Sequence, residues 1–317
     1  MTELYPEIEP FVSQWLDVGD GHQLYVEQCG NPDGIPVLFL HGGPCSGAKP
    51  KHRRFFDASR YHAVLFDQRG CGRSQPFGRI THNTSQHLVV DIETIRKRLG
   101  IDRWLLFGGS WGATLALLYA QNYPQQVSGM ILRGSFLARR QDLAWFTDVG
   151  VNRIYPECWQ ALCDAMVGDR TDLIGALWQT VNGTDSAKAL TAARAWAMWG
   201  AQTALGHAFS KEMCDFSDDA WLLSQTLMEL HYARHRYFLR DNQLLEDCYR
   251  LQHIPVTLLH GRMDLVCPVE AAWVLQQALP KARLNIIPEA GHISEHPALT
   301  AALVAAADTF ARELADG

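Results

Sequence analysis

Gly108-Gly109-Ser110-Trp111-Gly112 fits the pattern Gly-x-Ser-x-Gly. An apolar run at 104–107 enters it and an Ala/Leu-rich run, ATLALLYA, leaves it, the strand–turn–helix setting of a nucleophile elbow. Such a turn is sharp, so the positions flanking the serine must be small, and Gly108 and Gly112 meet that demand. For the pentapeptide alone, a tight turn with a capping serine is the alternative reading. A serine hydroxyl is a weak nucleophile without a base, and the base needs an orienting carboxylate. Asp264 follows the apolar run PVTLLHG, and His292 follows the run RLNII. The order Ser, Asp, His is that of a strand-end hydrolase triad. Taken singly, Asp264 reads as a turn aspartate and His292 as a surface histidine; taken with Ser110 they read as a catalytic set. His41-Gly42-Gly43-Pro44 follows the run PVLFL and offers backbone amides to a tetrahedral oxyanion. The donors are expected at Trp111 and Gly43, with His41 bracing the loop.

The elements around these residues alternate. Strands are expected at 23–27, 36–40, 61–66, 104–107 and 127–133, with helices at 88–99, closed by Gly100, and at 111–123. This pace implies a mostly parallel central sheet covered by helices on both faces. From about 138 to 249 the strand signals disappear. Trp145, Trp159, Trp178, Trp196, Trp199 and Trp221 crowd this segment, and 187–199 and 219–237 read as amphipathic helices. Strands return at 255–259 and 283–287, and an Ala/Leu helix runs over 298–314. The expected organisation is a sheet core over 1–137 and 251–317, interrupted by a helical cap over 138–250.

The 317 residues are 47% hydrophobic, enough to bury a sizeable core. The net charge of −6, from 34 acidic and 28 basic residues, argues against nucleic acid as a partner. No apolar run is long enough to span a membrane. With Glu3, Glu7, Glu9, Pro6 and Pro10 near the start, no secretory leader is expected. Eight scattered cysteines without a Cys-x-x-Cys pair suit reduced thiols in the cytoplasm; Cys45 and Cys71 stand apart by lying in glycine-rich loops. His231 and His235 share a helical spacing but lack a third ligand, and no His-Glu-x-x-His occurs, so neither metal nor cofactor is expected. The basic stretch 49–54 reads as a solvated loop. Gly70-Cys71-Gly72-Arg73-Ser74 lacks the Lys-Ser/Thr ending of a phosphate loop and reads as a turn at the site's rim.

The chain resembles the proline iminopeptidases (prolyl aminopeptidases) of the α/β-hydrolase superfamily. The resemblance rests on His41-Gly42-Gly43-Pro44, Asp67-Gln68-Arg69-Gly70-Cys71-Gly72-Arg73-Ser74 and Gly108-Gly109-Ser110-Trp111-Gly112. Asn83-Thr84, Leu132-Arg133-Gly134, His260-Gly261-Arg262-Met263-Asp264 and Gly291-His292 extend it. It implies the α/β-hydrolase fold and metal-free release of an N-terminal proline from a small peptide or amino-acid amide. It also implies carboxylates in the cap that bind the cationic imino group. Glu229, in Met228-Glu229-Leu230-His231-Tyr232, matches one of them. The other falls near Trp199-Gly200-Ala201-Gln202, where this chain has no acid. Cys45-Ser46-Gly47 replaces a run of glycines, and Gln86 stands where a tryptophan is common. Phe136, Trp145 and Phe146 are candidates for an apolar wall against a pyrrolidine ring, or for ordinary packing beneath the cap. The rivals are a related amidase, esterase or acyltransferase without proline preference, and a non-catalytic binding protein on the same fold. Oligomeric state is not legible.

Overall fold

The computed structural model describes residues 4–315. One eight-stranded sheet organises the chain, built from β1 (Val12–Asp17), β2 (Gln23–Gly30), β3 (Ile35–Leu40), β4 (Tyr61–Phe66), β5 (Trp104–Gly109), β6 (Val127–Arg133), β7 (Val256–Gly261) and β8 (Arg283–Ile287). Their spatial order is β1-β2-β4-β3-β5-β6-β7-β8. The pairings of β1 with β2 and of β2 with β4 are antiparallel, and the rest are parallel. β3, β5, β7 and β8 therefore end on the same edge, where the chain must turn and where sites of parallel sheets collect. The register brings Leu40 opposite Gly108, so the loop after β3 and the turn after β5 are neighbours.

Helices α1 (Ser85–Arg98) and α2 (Trp111–Asn122) follow β4 and β5. The Thr84 side chain accepts from the His87 amide at the start of α1, and Gly100 follows its end at φ +67°, a left-handed C-terminal stop. After β6 come α3 (Arg140–Thr147), α4 (Pro156–Asp164), α5 (Leu173–Val181), α6 (Ser186–Leu205), α7 (Asp219–Arg234) and the single turn α8 (Gln243–Glu246). α9 (Glu270–Ala278) lies between β7 and β8, and α10 (Pro297–Ala315) follows β8. One apolar core joins a face of the sheet to α1, α2 and α9 through residues such as Ile92, Leu115 and Leu275. A second joins the opposite face to α10 through Leu303, Val304 and Phe310. A third sits among α4 to α7, around Leu177, Trp199 and Leu230.

The expected strands and helices are present within a few residues, with two differences. β1 was not anticipated: Val12 and Trp15 are 38% and 51% exposed, so this edge strand carries no buried alternation to read. The helix expected over 219–237 stops at Arg234, because Arg236, Tyr237 and Phe238 take φ of +50°, +55° and +55°.

Candidate active site

Ser110 sits between β5 and α2 with φ 56° and ψ −123°, a backbone that a non-glycine residue adopts at a cost of order 1–3 kcal/mol. Its surroundings explain why the turn tolerates only glycine nearby. A Cβ on Gly112 would drive into the carbonyl of Leu40, and one on Gly108 into the carbonyl of Gly112. The glycines thus let β3, β5 and α2 converge, and their convergence lifts the serine out of the sheet edge.

Asp264 and His292 come together from the ends of β7 and β8. His292 Nδ1 lies 2.8 Å from Asp264 Oδ2. Asp264 Oδ1 accepts from the amides of Val266, at 2.9 Å, and Cys267, at 2.8 Å. Burial works against the ionised carboxylate, yet the neighbouring imidazoles of His292 and His260 and the Cys267 amide hold Asp264 below the usual carboxylate range. An ionised acceptor at Nδ1 fixes the tautomer in which Nε2 is free to take a proton. His260, quoted in the sequence only as part of a motif, is a brace: Nε2 donates to the Cys267 carbonyl at 2.7 Å and Nδ1 accepts from the Ser135 amide at 3.2 Å. Burial depresses its basicity, in keeping with a neutral ring.

The loop after β3 is tied down next to the elbow. His41 is buried; Nδ1 donates to the Gly42 carbonyl at 2.9 Å, and Nε2 accepts from the Gln68 amide at 3.0 Å. The Gln68 side chain donates to the His41 carbonyl at 3.0 Å and accepts from Trp111 Nε1 at 2.9 Å. Gly43 has φ +110°, and a Cβ there would lie 2.6 Å from the Cys45 amide nitrogen. Trp111 opens α2, so its amide is one of the unpaired donors of a helix N-terminus. Behind this loop the Asp67 carboxylate accepts from the amides of Ala48 and Arg73 and from Arg73 Nε. The residues 70–74 thus form a charge-locked turn.

Ser110 and His292 line a cavity of ≈ 560 Å³ that extends among the helices after β6. Glu229 lines it too, with Oε2 accepting from Trp196 Nε1 at 2.7 Å and Oε1 from Gln225 Nε2 at 2.9 Å. Burial pushes the Glu229 carboxyl above the usual range, while those two donors oppose the shift. Asp142 also lines the cavity, but it is paired with Arg139 at 2.6 Å, and Arg139 reaches on to Glu270. Among the described residues, Glu229 is the lining carboxylate without a cationic partner. Phe136 and Phe146 both line the cavity. Phe136 packs edge-on against Tyr237 at 4.8 Å, and Phe146 edge-on against Trp196 at 5.6 Å. Trp145 does not share this wall: its indole donates to the Leu265 carbonyl at 2.8 Å and packs in the third core.

Several wall residues had no signal in the sequence. Trp196, Gln225 and Tyr237 reach the cavity only through packing between α6, α7 and the turn after α7. Cys267 arrives by way of the loop after β7, its buried thiol beside the Ser110 hydroxyl. Gly200, in the segment without an acid, lines the cavity with open space where a side chain would stand. Of the paired histidines on α7, His231 Nε2 meets the Asn83 carbonyl at 2.8 Å and His235 Nδ1 meets the His231 carbonyl at 2.8 Å. Asp20, His82 and His87 bring ligand atoms within 4.8 Å of one another, but Asp20 is held by Arg69 at 3.1 Å and His87 Nδ1 by Thr84 at 2.8 Å.

Comparison with known proteins agrees with this geometry. Residues 35–295 match the family model described as alpha/beta hydrolase fold. A proline iminopeptidase of Xylella fastidiosa is 45% identical over 312 residues, 98% of this chain and all of the relative. One from Arabidopsis thaliana is 43% identical over 306 residues, covering 96% of this chain and 80% of the relative. Among solved structures, an esterase from a Rhodococcus species superposes with a TM-score of 0.62 at 21% identity, over 95% of this chain and 99% of that one. At such identity the likeness is one of fold. The elbow, the strand-end pair of Asp264 and His292, and relatives alike over nearly the whole length lead to one assignment: the chain belongs to the proline iminopeptidase family, on the α/β-hydrolase fold.

Proposed function

We propose that this chain is a serine aminopeptidase that releases N-terminal proline from small peptides or amino-acid amides. The observation that carries the reading is one cavity lined by Ser110, His292 and an unpaired carboxylate, Glu229. Ser110 Oγ attacks the prolyl carbonyl carbon as its proton passes to His292 Nε2. Asp264 accepts from Nδ1–H and stabilises the imidazolium that forms. The amides of Trp111 and Gly43 receive the oxyanion. Collapse of the intermediate expels the amine, which takes the proton from His292, and leaves a prolyl ester on Ser110. Water, deprotonated by His292, attacks that ester, and His292 returns the proton to Ser110 Oγ as proline leaves.

Glu229 binds the substrate's cationic imino group. Trp196 and Gln225 orient its two oxygens, and the substrate supplies the positive charge that a desolvated carboxylate lacks. Phe136 and Phe146 face the pyrrolidine ring. The helices from 138 to 250 form a cap over the core made by 1–137 and 251–317. The same three residue types on a strand edge serve amidases, esterases and acyltransferases; the cap wall argues for proline. The eight unpaired thiols support a cytoplasmic enzyme, and the acidic balance supports a peptide rather than a nucleic acid as partner.

A fluorophosphonate probe tests the chemistry. The expected result is one adduct on folded protein, mapped to Ser110 and lost in Ser110→Ala; an adduct elsewhere, or none, contradicts it.

A further inference from the structure

Ser110 and His292 also line a second cavity, of ≈ 260 Å³, which adjoins the first through Gly43, Ser46, Lys49 and Ile293 and does not include Glu229. Its floor is apolar, with Phe39, Phe55, Phe107 and Leu303. Its charged lining is mainly cationic, and it shares Lys49 with the larger cavity. Lys49, Lys51 and Arg133 face a single carboxylate, Glu295, and Lys51 is already paired with Glu295. His52 on the same wall is neutral, because burial and the nearby Lys51 push its pKa down to about 3. Among the described residues no carboxylate pairs with Lys49 or Arg133. Arg133 donates to the His292 carbonyl, and its guanidinium lies against Gly109, so a cation sits within one residue of the nucleophile.

We propose that this second cavity binds the residue on the leaving side of the scissile bond, with Lys49 and Arg133 holding its free α-carboxylate. The preferred substrates are then dipeptides in which proline precedes an apolar residue. The inference rests on the proline-releasing reading above and extends it. With the imino group at Glu229 and the prolyl carbonyl at Ser110, the departing amine must lie beside His292, which borders both cavities. A residue advances the chain by about 3.3–3.6 Å, so the carboxylate of a dipeptide falls within the small cavity. In a longer peptide or a C-terminal amide that position is neutral. Glu229 in the larger cavity thus meets one end of a zwitterion. Arg133 in the smaller cavity meets the other, with Lys49 where the two cavities join, and the apolar floor accepts the side chain between.

The test compares kcat/KM for prolyl-leucine, prolyl-leucine amide and a prolyl aryl amide. The free acid is expected to exceed its amide by roughly fivefold, the worth of a partly exposed ion pair. Lys49→Gln brings that ratio toward one and Lys49→Arg restores it. Lys49 is exposed, so neither change disturbs a core. Raising salt lowers the wild-type ratio, as screening requires. A wild-type ratio of one or less, or a ratio indifferent to Lys49→Gln, overturns this proposal alone, because proline is still released. Release from none of the three substrates overturns it together with the reading on which it rests.

Discussion

The strand-end half of the site and its helical half are built by different means. At the strand ends the functional atoms are held by backbone turns and by a few side chains of the neighbouring loops. The Ser110 turn is shaped by Gly108 and Gly112, Asp264 by amides two and three residues on, and the oxyanion loop by His41 and Gln68. On the helical side the decisive atoms are fixed by side chains of the helices. Glu229 on α7 takes its geometry from Trp196 on α6 and from Gln225 one turn earlier, and Phe146 on α3 packs edge-on against the same Trp196. On the proposed reading, the first half sets what bond is broken and the second sets whose bond it is. Substitutions should separate the two, with strand-end changes falling on kcat and helical ones on KM and substrate ratio.

Ser110→Ala is expected to show the largest effect, a loss of about 10⁶-fold in kcat, since removal of a nucleophile leaves only binding and oxyanion contacts. Asp264→Asn follows at roughly 10⁴-fold, because Nδ1 then lacks an ionised acceptor and the wrong tautomer is favoured. Steady-state kinetics on a prolyl aryl amide reads both, and a KM-only effect from either would break the division.

Glu229→Gln keeps the shape and the contact with Trp196 but removes the charge. A loss of at least about 30-fold in kcat/KM is expected, carried by KM, from the lower range for unpairing a buried charge. The pH dependence follows from the sign of the shift. Burial raises the Glu229 pKa, so its charged form, the one proposed to bind the imino cation, fills only above the ordinary glutamate range. KM for proline substrates should rise on acidification through that raised pKa. In Glu229→Gln this component of the KM profile should vanish; its persistence would assign the titration elsewhere.

Smaller effects sharpen the boundary within the helical half. Phe146→Leu removes an aromatic face from the cavity wall and should reduce the prolyl-to-alanyl preference about three- to tenfold. Trp145→Phe removes a hydrogen bond to Leu265 outside the wall. It is expected to lower unfolding free energy by about 1 kcal/mol and to leave the substrate ratio within twofold of wild type (a tolerance of about 0.4 kcal/mol). Denaturant titration beside the kinetic ratio distinguishes the roles of Phe146 and Trp145.

The same division governs what could be read from sequence. The elbow, the strand-end positions of Asp264 and His292, and the loop after β3 were legible because each is a local pattern with a local steric cause. Most of the parallel strands were legible for a similar reason: β3 to β7 are largely buried on both faces and read as apolar runs. β1 escaped because Trp15 and Val12 lie exposed on an edge. Trp196, Gln225, Tyr237 and Cys267 escaped because their places depend on how α6, α7 and the loop after β7 pack, and no spacing along one helix encodes a neighbour on another. Trp145 and Phe146 show the limit most clearly. They are adjacent aromatics of one helix, yet its 3.6-residue turn sends one to the cavity and the other to Leu265.

The central claim is that the strand-end triad and the helical wall together make a proline-selective acyl-transfer site. Steady-state kcat/KM for a prolyl against an alanyl aryl amide, on the wild-type protein, tests it most directly. The structure predicts a preference for proline of roughly 10–200-fold, the range that a shaped apolar pocket supplies. Equal rates, or a preference for alanine, would contradict it.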